Sequence, residues 1–190
     1  LHWAAANDGA GAEVLLMVLE AHERAAGVAD NFGQLPLHWL CTSALGDARA
    51  LTLLLDAHPP AAGTADRQKR TPCHVLCASS RIDQASLAAA LPALLAAAPA
   101  SAALADSRGQ TPLHVLCANQ THAGSLGAEA LRALVGAAPA ATGMVDLEGH
   151  TPLHYLAKSH PEAGELWQIL IAAAEAAEAA GAAGAAGAAG

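Results

Sequence analysis

Apolar residues in this chain gather into runs of helical length, and polar turns of nearly constant make-up separate them. The runs Leu51 to Ala57, Leu91 to Ala98 and Leu131 to Ala138 each read as a helix. Each is followed by a proline, Pro59, Pro99 or Pro139, which cannot extend a helical hydrogen-bond ladder. A last run has Leu166, Ile169, Leu170 and Ala173 at helical spacing, so Glu165 to Ala180 is expected to form a final long helix. Shorter segments that open with Thr-Pro precede the long runs, so the expected unit is a turn, a short helix, a loop and a longer helix.

The unit recurs. Leu35-Pro36-Leu37-His38, Thr71-Pro72-Cys73-His74, Thr111-Pro112-Leu113-His114 and Thr151-Pro152-Leu153-His154 are copies of one motif, and Leu1-His2 reads as the end of a fifth. The histidines recur at intervals of 36, 36, 40 and 40 residues. Eight residues before the last four stand Asp30, Asp66, Asp106 and Asp146, followed three residues later by Gly33, Lys69, Gly109 and Gly149, so that only Lys69 departs from glycine. The longer period comes from four extra residues between the closing cysteine of the short segment and the first leucine of the long run, which assigns the insertion to the loop between helices.

This pattern of Asp-x-x-Gly-x-Thr-Pro-Leu-His and two helices resembles the ankyrin repeat, from Leu1 to about Ala180. The resemblance implies an all-α solenoid of stacked helix-turn-helix units with hairpin-like turns between repeats. The expected units are a partial repeat over 1–29, repeats over 30–65, 66–105, 106–145 and 146–180, and a Gly-Ala tail over 181–190. That tail has no large side chain to bury and is expected to be disordered. The resemblance also implies that the motif histidines His2, His38, His74, His114 and His154 bond nearby backbone and tie one repeat to the next.

Elementary chemistry accounts for much of the motif. Thr71, Thr111 and Thr151 suit a helix N-cap, and the prolines after them suit the first helical position. Cys41, Cys77 and Cys117 occupy one repeat position, filled by Ala5 and Ala157 in other copies, and read as small buried packers. Equivalent cysteines on stacked repeats lie too far apart for a disulfide. Reduced thiols imply the cytosol or nucleus. Cys73, His74 and Cys77 form the one close grouping, and they lack the second pair that a zinc site needs. Neither metal nor cofactor is expected.

Composition narrows the function classes. The chain has 190 residues, 54% of them hydrophobic but only 3% aromatic, an Ala- and Leu-rich mixture that favours helices. Its net charge of -8 argues against a nucleic-acid partner, which requires a basic face. Gln84 to Ala105 carries no charge, yet it is Ala-rich and interrupted by Pro92 and Pro99, so no membrane span is expected. Phosphate loops, nucleophile elbows and metalloprotease helices are absent from the sequence, and the chain is not expected to be an enzyme.

What remains is a surface for a protein partner. Carried over from the family, the turn set is Asn31, Phe32, Gln34, Arg67, Gln68, Arg70, Ser107, Arg108, Gln110, Leu147, Glu148 and His150. A second set at the ends of the short helices comprises Thr42, Ser43, Ala78, Ser79, Ala118, Asn119, Lys158 and Ser159. Arg67, Lys69, Arg70 and Arg108 suit an acidic peptide segment, and Phe32 suits an interface anchor or packs on Trp3 or Trp39. The expectation is thus a monomeric, cytoplasmic or nuclear interaction scaffold. The alternative is the repeat portion of a larger enzyme, ubiquitin-ligase adaptor or channel.

Overall fold

A computed structural model describes residues 1–6, 11–43, 48–122 and 125–187. Among these residues the chain is all-helical, with no strand. Five short helices alternate with five longer ones: α1 (His2–Ala6), α2 (Gly11–Ala21), α3 (Pro36–Thr42), α4 (Ala48–Ala57), α5 (Pro72–Ala78), α6 (Gln84–Ala97), α7 (Pro112–Ala118), α8 (Ser125–Ala137), α9 (Pro152–Ser159) and α10 (Gly164–Gly187). Each short helix touches the short helices before and after it, and each longer helix touches its longer neighbours. Helix pairs are therefore laid down serially in two columns.

Local chemistry sets the boundaries. Leu35, Thr71, Thr111 and Thr151 are extended N-cap residues, each followed by a proline at the first helical position. The longer helices α4, α6 and α8 end at Ala57, Ala97 and Ala137, and 3₁₀ turns begin at Pro59, Pro99 and Pro139. The intervening His58, Ala98 and Ala138 have φ near -145° to -149° and ψ near 77° to 79°. A residue before proline is pushed out of the helical region by the ring. His22 adopts nearly the same dihedrals, φ -146° and ψ 74°, before Glu23, so the bend does not require a proline.

Two expectations change here. The extra residues before Leu91 do not sit wholly in a loop, because α6 already begins at Gln84, seven residues before that leucine. The Asp83 carboxylate accepts the Ser86 amide at 2.9 Å, and this cap starts the helix a turn earlier in an Ala-rich stretch. Pro92 then lies inside α6, on its exposed side, without ending the helix. At the far end, α10 runs through Ala180 to Gly187, so residues 181–187 are helical instead of disordered. Alanine, the strongest helix former, supplies four of the seven residues there. Residues 188–190 lie outside the described residues.

Leucines from both columns meet in one core, among them Leu15, Leu37, Leu54, Leu76, Leu91, Leu113, Leu134, Leu156 and Leu170. The charge-free stretch Gln84 to Ala105 contributes Leu87, Leu91 and Leu94 to it. Among the described residues no helix is long and apolar enough to cross a membrane.

Candidate interaction surface

A file of histidines runs through the joints between helix pairs. Nδ1 of His38, His74, His114 and His154 accepts the N-cap amide of Leu35, Thr71, Thr111 and Thr151 at 3.1 to 3.2 Å. With Nδ1 accepting, the proton belongs on Nε2, which points to the next repeat. Nε2 of His2, His38, His74 and His114 donates to the carbonyls of Gln34, Arg70, Gln110 and His150 at 2.9 to 3.1 Å. His38, His74 and His114 thus each cap their own helix and anchor the turn that follows. Burial pushes His38, His74 and His114 below the ordinary imidazole range. The threonine hydroxyls approach the same Nδ1 at 2.8 to 2.9 Å, so the cap is a joint product of Thr and His. His154, last in the file, is exposed.

The turns are built by their aspartates. One carboxylate oxygen of Asp30 accepts the amides of Phe32 and Gln34, and Asp66, Asp106 and Asp146 repeat the arrangement, all at 2.7 to 2.9 Å. Gly33, Gly109 and Gly149 have φ of 77° to 81°, the left-handed region, and Lys69 takes φ of 59° in the turn without glycine. Neighbouring turns are joined through backbone: Arg67, Ser107 and Leu147 donate their amides to the carbonyls of Phe32, Gln68 and Arg108 at 2.8 to 3.1 Å. The turns hold their shape without using the side chains at their tips.

Charge at the turns is unevenly committed. Arg70 donates through Nε and Nη2 to Asp66 at 3.0 and 2.8 Å. Burial alone would raise the Asp66 carboxyl, but the Arg70 amide and guanidinium hold it below its usual value. Hydrogen bonding by the Tyr155 hydroxyl, at 2.6 Å, is the main cause of a strong downward shift at Asp146, and the same bond raises Tyr155. Trp39 takes the equivalent place against Asp30 at 2.9 Å. At the last turn, Nδ1 of His150 lies 3.4 Å from Glu148.

The twelve expected turn residues therefore separate by position. Asn31, Phe32, Arg67, Gln68, Ser107, Arg108, Leu147 and Glu148 are exposed at the tips. Gln34, Arg70, Gln110 and His150 are half-buried, and their carbonyls receive the histidines. Arg70 belongs to the framework because its guanidinium neutralises Asp66. Phe32 is 69% exposed and Trp3 86% exposed, so neither covers the other.

The helix-end set changes more. Ser43 and Ser79 are buried, and the Ser43 hydroxyl donates to the Leu40 carbonyl at 2.7 Å. Asn119 donates to the carbonyls of Cys77 and Ser79, Ser159 to that of Ala118, and His160 to that of Asn119. These side chains stitch successive helix ends together. His160, buried and bonded across a joint, had no motif to reveal it in the sequence. Thr42, Ala78 and Lys158 remain exposed.

No protein-family model matches the chain, and no curated protein matches it in sequence.

Among the described residues, no group of three or more His, Cys, Asp or Glu side chains is placed to hold a metal ion. At Cys73, His74 and Cys77 both ring nitrogens are already hydrogen-bonded. Cys41, Cys73, Cys77 and Cys117 are free thiols within the core. Burial pushes Cys73 and Cys117 up to about 12 and raises Cys41 and Cys77 well above the usual thiol range. Thiols so protonated are poor nucleophiles and poor metal ligands.

Proposed function

We propose that the chain is an ankyrin-type solenoid that works by binding another protein along its row of turn tips, with no catalysis of its own. One observation carries this reading. The repeated positions of the turn (Asp, His, and the carbonyl before Thr) are consumed in holding the stack, whereas the tip side chains are exposed and differ from turn to turn. A rigid backbone bearing variable, solvated side chains loses little entropy when it binds, which suits recognition. Buried, protonated thiols fit a reducing compartment such as the cytosol or nucleus.

The test is affinity capture from lysate by the wild type and by an Arg67→Ala, Arg108→Ala variant, with partners identified by mass spectrometry. Arg70 is left in place because its removal would strip Asp66 of its ion pair. Partners retained by the wild type and lost by the variant support the reading. Identical recoveries would remove the tips as the binding face.

A further inference from the structure

The four turns differ in kind, and at their tips the large apolar side chains, Phe32 and Leu147, fall on the first and last turns. The first presents Val28 and Phe32, exposed to 56% and 69%, and the last presents Val145 and Leu147, exposed to 57% and 80%. Between them, the second and third turns present Arg67, Lys69 and Arg108 at their tips, all exposed, and the third also has Leu104, 42% exposed, at the place of Val28. Among the described residues, none of these three cations has an ionic or hydrogen-bonded side-chain partner. They stand out in a chain of net charge -8. The turn that lacks glycine has a cation, Lys69, in the left-handed position.

From the chemistry of this row we propose that it receives one extended segment of the partner protein, apolar at both ends and acidic in its middle. This rests on the reading of the tips as the docking face. The length follows from the stack: first and last turns are three joints apart, each joint spans about 10 Å, the usual separation of packed helices, and the row is therefore about 30 Å long. An extended chain rises about 3.3 Å per residue, so roughly nine residues reach from Phe32 to Leu147. Phe32 and Leu147 anchor the ends by burying apolar surface, and the unpaired cations fix the register of the acidic middle. Glu148 beside Leu147 repels acidic residues at that end and so confines them to the centre.

The test is fluorescence anisotropy with labelled synthetic peptides of that length: the parent pattern, a version with lysines at the centre and a version with serines at both ends. A single-stranded oligothymidylate of similar reach serves as the anionic polymer without apolar ends. The parent should bind at least tenfold more tightly than the other three. Arg67→Glu with Arg108→Glu should weaken the parent tenfold or more and tighten the lysine version. Phe32→Ser and Leu147→Ser should each weaken the parent while leaving the serine-ended peptide unaffected. Unaltered thermal unfolding by circular dichroism would show that these tip variants remain folded.

Equal binding of the parent and serine-ended peptides, or tighter binding of the oligonucleotide, would overturn the proposal. So would binding of none of the peptides. In each case the docking reading itself stands or falls separately, on the lysate capture with Arg67→Ala and Arg108→Ala.

Discussion

Gly109→Ala and Gly149→Ala make the same chemical change in two turns of the same conformation, with φ of 78° and 81°. Each should incur the left-handed cost of an L-residue, about 1–2 kcal/mol, offset in part by about 0.4–1 kcal/mol from a less flexible unfolded chain. Their surroundings differ. A Cβ at Gly149 meets nothing within 4 Å, whereas one at Gly109 falls 2.9 Å from the Leu147 nitrogen and 3.1 Å from the Asp146 Cα. Both are backbone atoms, and that nitrogen donates the 3.0 Å bond to Arg108 that joins the last two turns. Relief of the clash therefore strains or breaks a joint hydrogen bond, which adds about 1–2 kcal/mol at Gly109 alone. Lys69→Gly runs the other way, since it releases a side chain from φ of 59°, and should range from neutral to about 1 kcal/mol stabilising. Urea unfolding followed by far-ultraviolet circular dichroism gives the order directly: Lys69→Gly most stable, then Gly149→Ala, then Gly109→Ala. Equal losses for the two alanine variants would refute the joint geometry.

Three further outcomes follow from the histidines and thiols. His74→Ala leaves the Thr71 amide and the Gln110 carbonyl without their partner inside a joint and should cost about 2–4 kcal/mol, while His154→Ala, at an exposed site, should cost under about 1 kcal/mol; similar urea midpoints would contradict the ladder. His38, His74 and His114 are held below 6.5, so the unfolded chain takes up protons first as pH falls. Stability should be complete above about pH 6.5 and decline below it, before the carboxylates of Asp30, Asp66 and Asp146, held below 3.8, begin to titrate. Equal midpoints at pH 7.5 and 5.5 would exclude this. The four thiols should react with a disulfide reagent only after denaturant is added, and rapid native-state reaction of any of them would show that the core opens.

The all-helical character and the serial helix pairs were legible because each motif residue has a local reason for its place. Asp bonds its own turn, Gly supplies the left-handed step, and Thr-Pro opens a helix. Lys69 shows how far such reasoning carries, since the departure from glycine marked a position whose conformation the neighbouring copies had already specified. What sequence could not show was which polar groups are shared between repeats. Arg70 reads as a free surface cation until Asp66 is seen beside it, and Ser43 and Ser79 read as exposed helix ends until their burial is seen. The four-residue insertion was placed correctly along the chain, but its helical state depended on the cap at Asp83. The Gly-Ala segment followed alanine's propensity over the expectation of disorder.

The forward reach of each imidazole gives the structure a polarity. The rings of His2, His38, His74 and His114 each lean on the turn after their own, so loss of a turn from the carboxyl side strips the imidazole before it of its acceptor, as loss of the turn at His150 would do to the buried His114. Shortening from the amino side releases motif carbonyls, such as that of Gln34, and strips the backward-reaching donors instead, among them the Arg67 amide from Phe32 and the buried His160 from Asn119. The two kinds of trimming therefore expose different groups: motif imidazoles at a new carboxyl end, turn amides and helix-end side chains at a new amino end.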